Sequence, residues 1–115
     1  MARNVLILER NPIIAQDIQE TVLGVLPTAQ VKMTEAIEDA VTVLANLEDW
    51  AWVVLDCKAE ELENPDLKAA LADRVRHPVV IHDPIPVDGA EHWIFLEPPF
   101  TTTSLENALA STVPE

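Results

Sequence analysis

Glycine is nearly absent, with two residues in a chain of 115. With so little glycine, neither a phosphate-cradling loop nor a G-x-G-x-x-G turn is present, which argues against the common nucleotide-binding enzymes. Lys and Arg are also few. Seven are spread along the chain against twenty Asp and Glu, giving a formal net charge of −13. Phosphate recognition relies on clustered basic side chains, so nucleic acid and anionic membrane are poor partners and a protein partner is expected. The single cysteine, Cys57, cannot form an internal disulfide and suits a reducing compartment. No apolar stretch approaches the ~20 residues that span a bilayer, and the N-terminus runs into a short apolar segment without a signal-peptide layout. A cytoplasmic location is therefore expected. No internal repeat, linker or low-complexity segment is visible.

What remains is 49% hydrophobic, enough at this length for a single domain over residues 1–115 with one core and no room for a second, effector domain. Val5-Leu6-Ile7-Leu8 is the all-apolar run of a strand buried on both faces. Asn11-Pro12 then opens a helix with Ile14, Ile18, Val22 and Val25 on one face, ended by Pro27. Ala29 to Met33 reads as a second strand, and Thr34 as the cap of a helix carrying Ile37, Ala40, Val41 and Leu44 inward. Trp52-Val53-Val54-Leu55-Asp56 is a third strand ending on a carboxylate, at the sheet edge where ligands usually sit. Asn64-Pro65 repeats the capping signal for a helix packing through Leu67, Ala70, Leu71 and Val75. Pro78 introduces a fourth strand, Val79 to His82, and Trp93 to Leu96 makes a fifth. Thr103-Ser104-Leu105-Glu106 reads as a capping box opening the last helix.

This alternation predicts an α/β fold, a doubly wound five-stranded parallel sheet of flavodoxin-like order 2-1-3-4-5. One helix is short of the pattern. Asp83 to His92, with Pro84, Pro86 and Gly89, is near the minimum for a parallel crossover, so the helix between strands 4 and 5 is expected to be missing or reduced.

Val5-Leu6-Ile7-Leu8-Glu9-Arg10-Asn11-Pro12 resembles the first strand and acidic pair of response-regulator receiver domains of two-component signalling. Val53-Val54-Leu55-Asp56 resembles their phosphoacceptor strand, Pro78-Val79-Val80-Ile81 their fourth strand, and Phe95-Leu96-Glu97-Pro98-Pro99-Phe100 their fifth strand and Lys-Pro turn. The resemblance runs in order along nearly the whole chain. It implies that Asp56 stands at the phosphoacceptor position and Glu9 at the first acid of the pair, with Asp83, Phe95 and Pro98 at switch positions. If Mg2+ is bound, its ligands are Glu9, Asp56 and the Lys58 backbone carbonyl.

The departures fall on the chemistry. Arg10 replaces the second acid, and a guanidinium cannot ligate Mg2+. Asp83 falls at the Thr/Ser position, or His82 does if the register slips by one, and Pro98 replaces the lysine. Positive charge has thus moved from the phosphate side to the metal side. At ~4 Å and an effective dielectric near 20, a like-charge contact opposes phosphorylation by roughly 4 kcal/mol. The resemblance with these changes implies a stand-alone, atypical receiver acting as a protein-interaction module, largely independent of phosphorylation, with Arg10 bridged to Asp56 and no cofactor. It is not an enzyme on this reading. Its partner would be a histidine kinase, a phosphotransfer protein or a downstream target, with a homodimer also open. The alternatives are a phosphoacceptor regulator using Asp56 and Mg2+, or a small metal-dependent enzyme using Cys57, His82 and Asp83.

Core packing is the plain reading of Trp50, Trp52 and Phe95. Trp93, with Pro84 and Pro86, is expected to form an interaction surface where the fourth crossover is thinned. The run Glu60, Glu61, Glu63 and Asp66 reads as a solvated helix start.

Overall fold

The computed structural model describes residues 4–46, 50–56, 59–81, 93–96 and 101–110. The first apolar run forms β1 (Asn4–Leu8). Asn11 caps α1 (Pro12–Val25): its Oδ1 accepts from the Ile13 N–H at 3.0 Å, and Pro12 takes the first helical position, where an N–H has no helical partner anyway. There follow β2 (Gln30–Thr34), α2 (Ile37–Ala45), β3 (Trp50–Leu55), a one-turn α3 (Ala59–Leu62), α4 (Pro65–Arg74), β4 (Val75–Ile81), β5 (Ile94–Leu96) and α5 (Thr102–Ala110). All strand pairs are parallel and the order is β2-β1-β3-β4-β5, as the sequence predicts. The reduced fourth crossover expected over 83–92 lies outside the described residues. Among those described, no helix is long and apolar enough to cross a membrane.

Helices cover both faces of the sheet, which is why its central strands read as unbroken apolar runs. Val5, Ile7, Trp52, Val54, Val79 and Ile81 meet Ile18 and Val22 of α1 and Leu105 and Leu109 of α5. On the other face Leu6, Leu8, Val53, Leu55 and Val80 meet Ile37 and Leu44 of α2, Leu62 of α3, and Leu67 and Leu71 of α4. The tryptophans are divided between the layers. Trp50 packs with α2 and α4 and donates its indole N–H to the Leu44 carbonyl at 3.2 Å, while Trp52 lies in the α1 and α5 layer, 5.5 Å from the His77 ring.

Four local expectations are revised. Thr34 does not cap α2: it ends β2, its hydroxyl donating to the Ile7 carbonyl at 3.3 Å, and α2 starts behind Ala36, which has no side-chain oxygen to offer. Val75 belongs to β4 and not to the preceding helix, since Arg74 passes directly into the strand. β4 accordingly runs through Pro78, opposite Val53. The β5 pairing begins only at Val79, so the proline sits where the strand has a neighbour on one side alone. The reciprocal cap of α5 is two residues earlier than expected: Ser104 N–H donates to Thr101 Oγ1 at 3.0 Å, and Thr101 N–H to Ser104 Oγ at 2.9 Å. Asn64 behaves as read, its Oδ1 accepting from the Asp66 and Leu67 N–H groups at 2.9 and 3.1 Å.

Candidate functional site

Strand register brings two carboxyl groups together. β1 and β3 pair Leu8 with Leu55, so Glu9 and Asp56 are the next residues on adjacent parallel strands. Backbone bonds hold both ends: Asp56 N–H donates to the Leu8 carbonyl at 2.9 Å, and Glu9 N–H to the Thr34 carbonyl at 3.1 Å. Three strand termini are thereby laced at the carboxyl edge of the sheet, the edge the sequence points to.

Glu9 is only 5% exposed. One of its oxygens, Oε1, accepts from the Asn11 N–H at 2.9 Å, while Oε2 is buried with no partner. Burial, then a hydrogen bond with Asp56 and the charge of that carboxylate, push the Glu9 pKa from 4.5 up to about 7, against the lowering pull of the Asn11 and Arg10 backbone N–H groups. Two ionised carboxylates have no hydrogen to share, so the Glu9–Asp56 bond exists only when the pair holds a proton. At neutral pH Glu9 stands near that transition.

Arg10 pairs with Glu61 of α3, Nη2 to Oε2. Glu61 is held by its surroundings. Leu62, the next residue, is fully buried in the α2 and α4 layer, and the Asn64 N–H closes the turn onto the Glu61 carbonyl at 3.2 Å. The sequence gives no hint of this pairing, because the two residues lie 51 positions apart and α3 is too short for a periodic pattern. Glu61 is therefore an ion-pair partner, where the run from Glu60 to Asp66 reads from sequence as uniformly solvated. It also lines an open recess of about 340 Å3 with Ile37, Glu38, Glu60, Glu63 and Asn64.

Trp93 is not open to a partner: it is 8% exposed, inside the α2 and α4 layer, with its ring 6.3 Å from that of Phe95. Its indole N–H has no hydrogen-bond partner, and Phe95 is half-buried against the same layer. Of the other residues singled out in the sequence, Cys57, Lys58, His82, Asp83, Pro84, Pro86 and Pro98 lie outside the described residues.

A magnesium site requires several hard oxygens in near-octahedral order. Here two carboxylates converge, and the next residue is a guanidinium anchored by its own carboxylate. Among the described residues no group of three or more His, Cys, Asp or Glu is placed to hold a metal. Among the described residues, two carboxylates with an arginine next in the chain are a poor set for Mg2+.

No protein-family model and no curated protein matches the sequence. Solved structures do match by shape. A response regulator receiver domain protein from Bacillus halodurans C-125 superimposes with a TM-score of 0.75 at 16% identity, with 100% of each chain covered. A CheY-like receiver domain from Methylobacillus flagellatus gives 0.70 at 19% identity, covering 98% of this chain and 100% of that one. An orphan response regulator of H. pylori gives 0.65 at 16% identity, with 97% of both chains covered. The strand order, the two helical layers and these superpositions agree that the chain has the fold of response regulator receiver domains.

Proposed function

We propose that this chain is an atypical receiver of two-component signal transduction that works as a protein-interaction module, largely without phosphorylation. The observation that carries the reading is the charge arrangement at the carboxyl edge of the sheet. Asp56 there faces a buried acid whose pKa is already raised, and the neighbouring position is an arginine engaged with Glu61. Bringing a phosphoryl dianion to Asp56 adds negative charge beside Glu9, which burial and Asp56 already disfavour as an anion. The net charge of −13 favours a protein over nucleic acid as the partner. That partner would be a histidine kinase, a phosphotransfer protein or a downstream target, with self-association as a further arrangement. The segment with Pro84 and Pro86 remains the proposed contact surface on sequence grounds, without the Trp93 ring.

A second reading keeps Asp56 as a phosphoacceptor. Its support is that Asp56 is only partly buried at a strand end, where a donor can reach it. Incubation with an acyl phosphate and Mg2+, followed by intact-mass measurement of wild type and Asp56→Ala, separates the two. No Asp56-dependent gain is expected; a gain of one phosphoryl group lost in Asp56→Ala would establish the second reading.

A further inference from the structure

Glu9 Oε2 is buried beside the Asp56 carboxyl with no protein donor, an arrangement that attracts a cation. The nearest residue in the chain supplies one that is already committed. Arg10 follows Glu9 directly, and Glu61 lies in α3, the first helix after β3, so their ion pair joins the segments that follow the two acid-bearing strands. Because Leu62 is fully buried and the Asn64 N–H bonds the Glu61 carbonyl, the backbone that carries the Glu61 carboxylate is tied to the core. The guanidinium is consequently a half-exposed positive charge held by Glu61 on the residue next to Glu9.

We infer that Arg10 is the specificity-determining residue that keeps divalent cations out of the Glu9–Asp56 pair. A divalent ion entering there finds only two carboxylates among the described residues, and a positive charge on the residue next to Glu9. Replacing Arg10 with aspartate reverses both conditions at once, removing the repulsion and adding a third carboxylate. This inference rests with the proposed function only on the altered strand-end site, and Mg2+ binding there requires no phosphodonor.

The test is calorimetric titration of Mg2+ into wild type, Arg10→Asp, Arg10→Asn and the double variant Arg10→Asp/Asp56→Asn, with thermal unfolding of each in the presence and absence of Mg2+. Wild type is expected to show no saturable binding and no shift in Tm. Arg10→Asp is expected to bind Mg2+ at least about tenfold more tightly than wild type and to gain Tm with the ion. The double variant should lose both responses. Arg10→Asn, which removes the charge with a shorter neutral side chain, should bind more weakly than Arg10→Asp, and it carries the test should the aspartate variant not fold. Saturable, Asp56-dependent Mg2+ binding by wild type would overturn the inference, as would a folded Arg10→Asp or Arg10→Asn that ignores Mg2+. Wild type that binds Mg2+ yet gains no phosphoryl group defeats Arg10's role and leaves the proposed function standing. Wild type phosphorylated on Asp56 but showing no Mg2+ binding does the reverse.

Discussion

At the carboxyl end of the sheet Glu9 is 5% exposed and faces a like charge on Asp56, whereas Arg10, the next residue, has a half-exposed side chain and faces an opposite charge on Glu61. The attractive pair is the more conspicuous, yet solvent screens it and its two long side chains lose entropy in meeting, so it adds little to stability. In the repulsive pair Glu9 is out of water, where its charge is felt more fully. Burial decides which of two neighbouring pairs governs the molecule's response to pH.

Glu9→Gln should alter the pH response most. Folding raises the Glu9 pKa from 4.5 to about 7, so between those values the folded state holds more protons than the unfolded one. Stability from this group is complete below about pH 4.5 and is lost as pH climbs through 7. The gap corresponds to roughly 3 kcal/mol. Urea unfolding across this range should show that decline in wild type and a flatter profile in Glu9→Gln, which becomes the more stable protein above pH 7. Equal slopes would place the burden elsewhere than on Glu9.

Asp56→Asn has a smaller expected effect, because it removes the like charge but leaves the burial of Glu9, the largest cause of its raised pKa. The decline should persist but be shallower, and its midpoint should move to lower pH. A decline of undiminished depth would mean that burial acts alone. The smallest effect is expected from Glu61→Gln. Losing an exposed ion pair should cost less than about 1 kcal/mol in low salt and less again in high salt. A larger, salt-insensitive loss would show that Arg10 and Glu61 are coupled to the buried pair more tightly than their exposure suggests.

What the sequence disclosed follows from how local each signal is. Asn11-Pro12 and Asn64-Pro65 announce their helices because cap and first turn are adjacent in the chain, and both caps are formed. The apolar runs of β1 and β3 announce burial on both faces because that requires no knowledge of partners. Thr34 misleads for the complementary reason. Its hydroxyl suits a cap equally well, but a strand carbonyl 27 residues away claims it. The α5 cap is misplaced because Thr101, Thr102 and Thr103 are equivalent as residue types, and only the fold selects Thr101. In the site, placing Glu9 beside Asp56 needed only the strand order. The Arg10–Glu61 pair needed the position of a one-turn helix that no periodicity reveals.

The direct passage from Arg74 to Val75 leaves no slack between α4 and β4. An added residue there has two outcomes: it turns α4 by about 100° about its axis, carrying Leu67 and Leu71 off the core, or it inverts the faces of β4. The helix and the strand are thus phased to one another like meshed gears. Length variation in this half of the molecule must fall outside the stretch from Asn64 to Ile81.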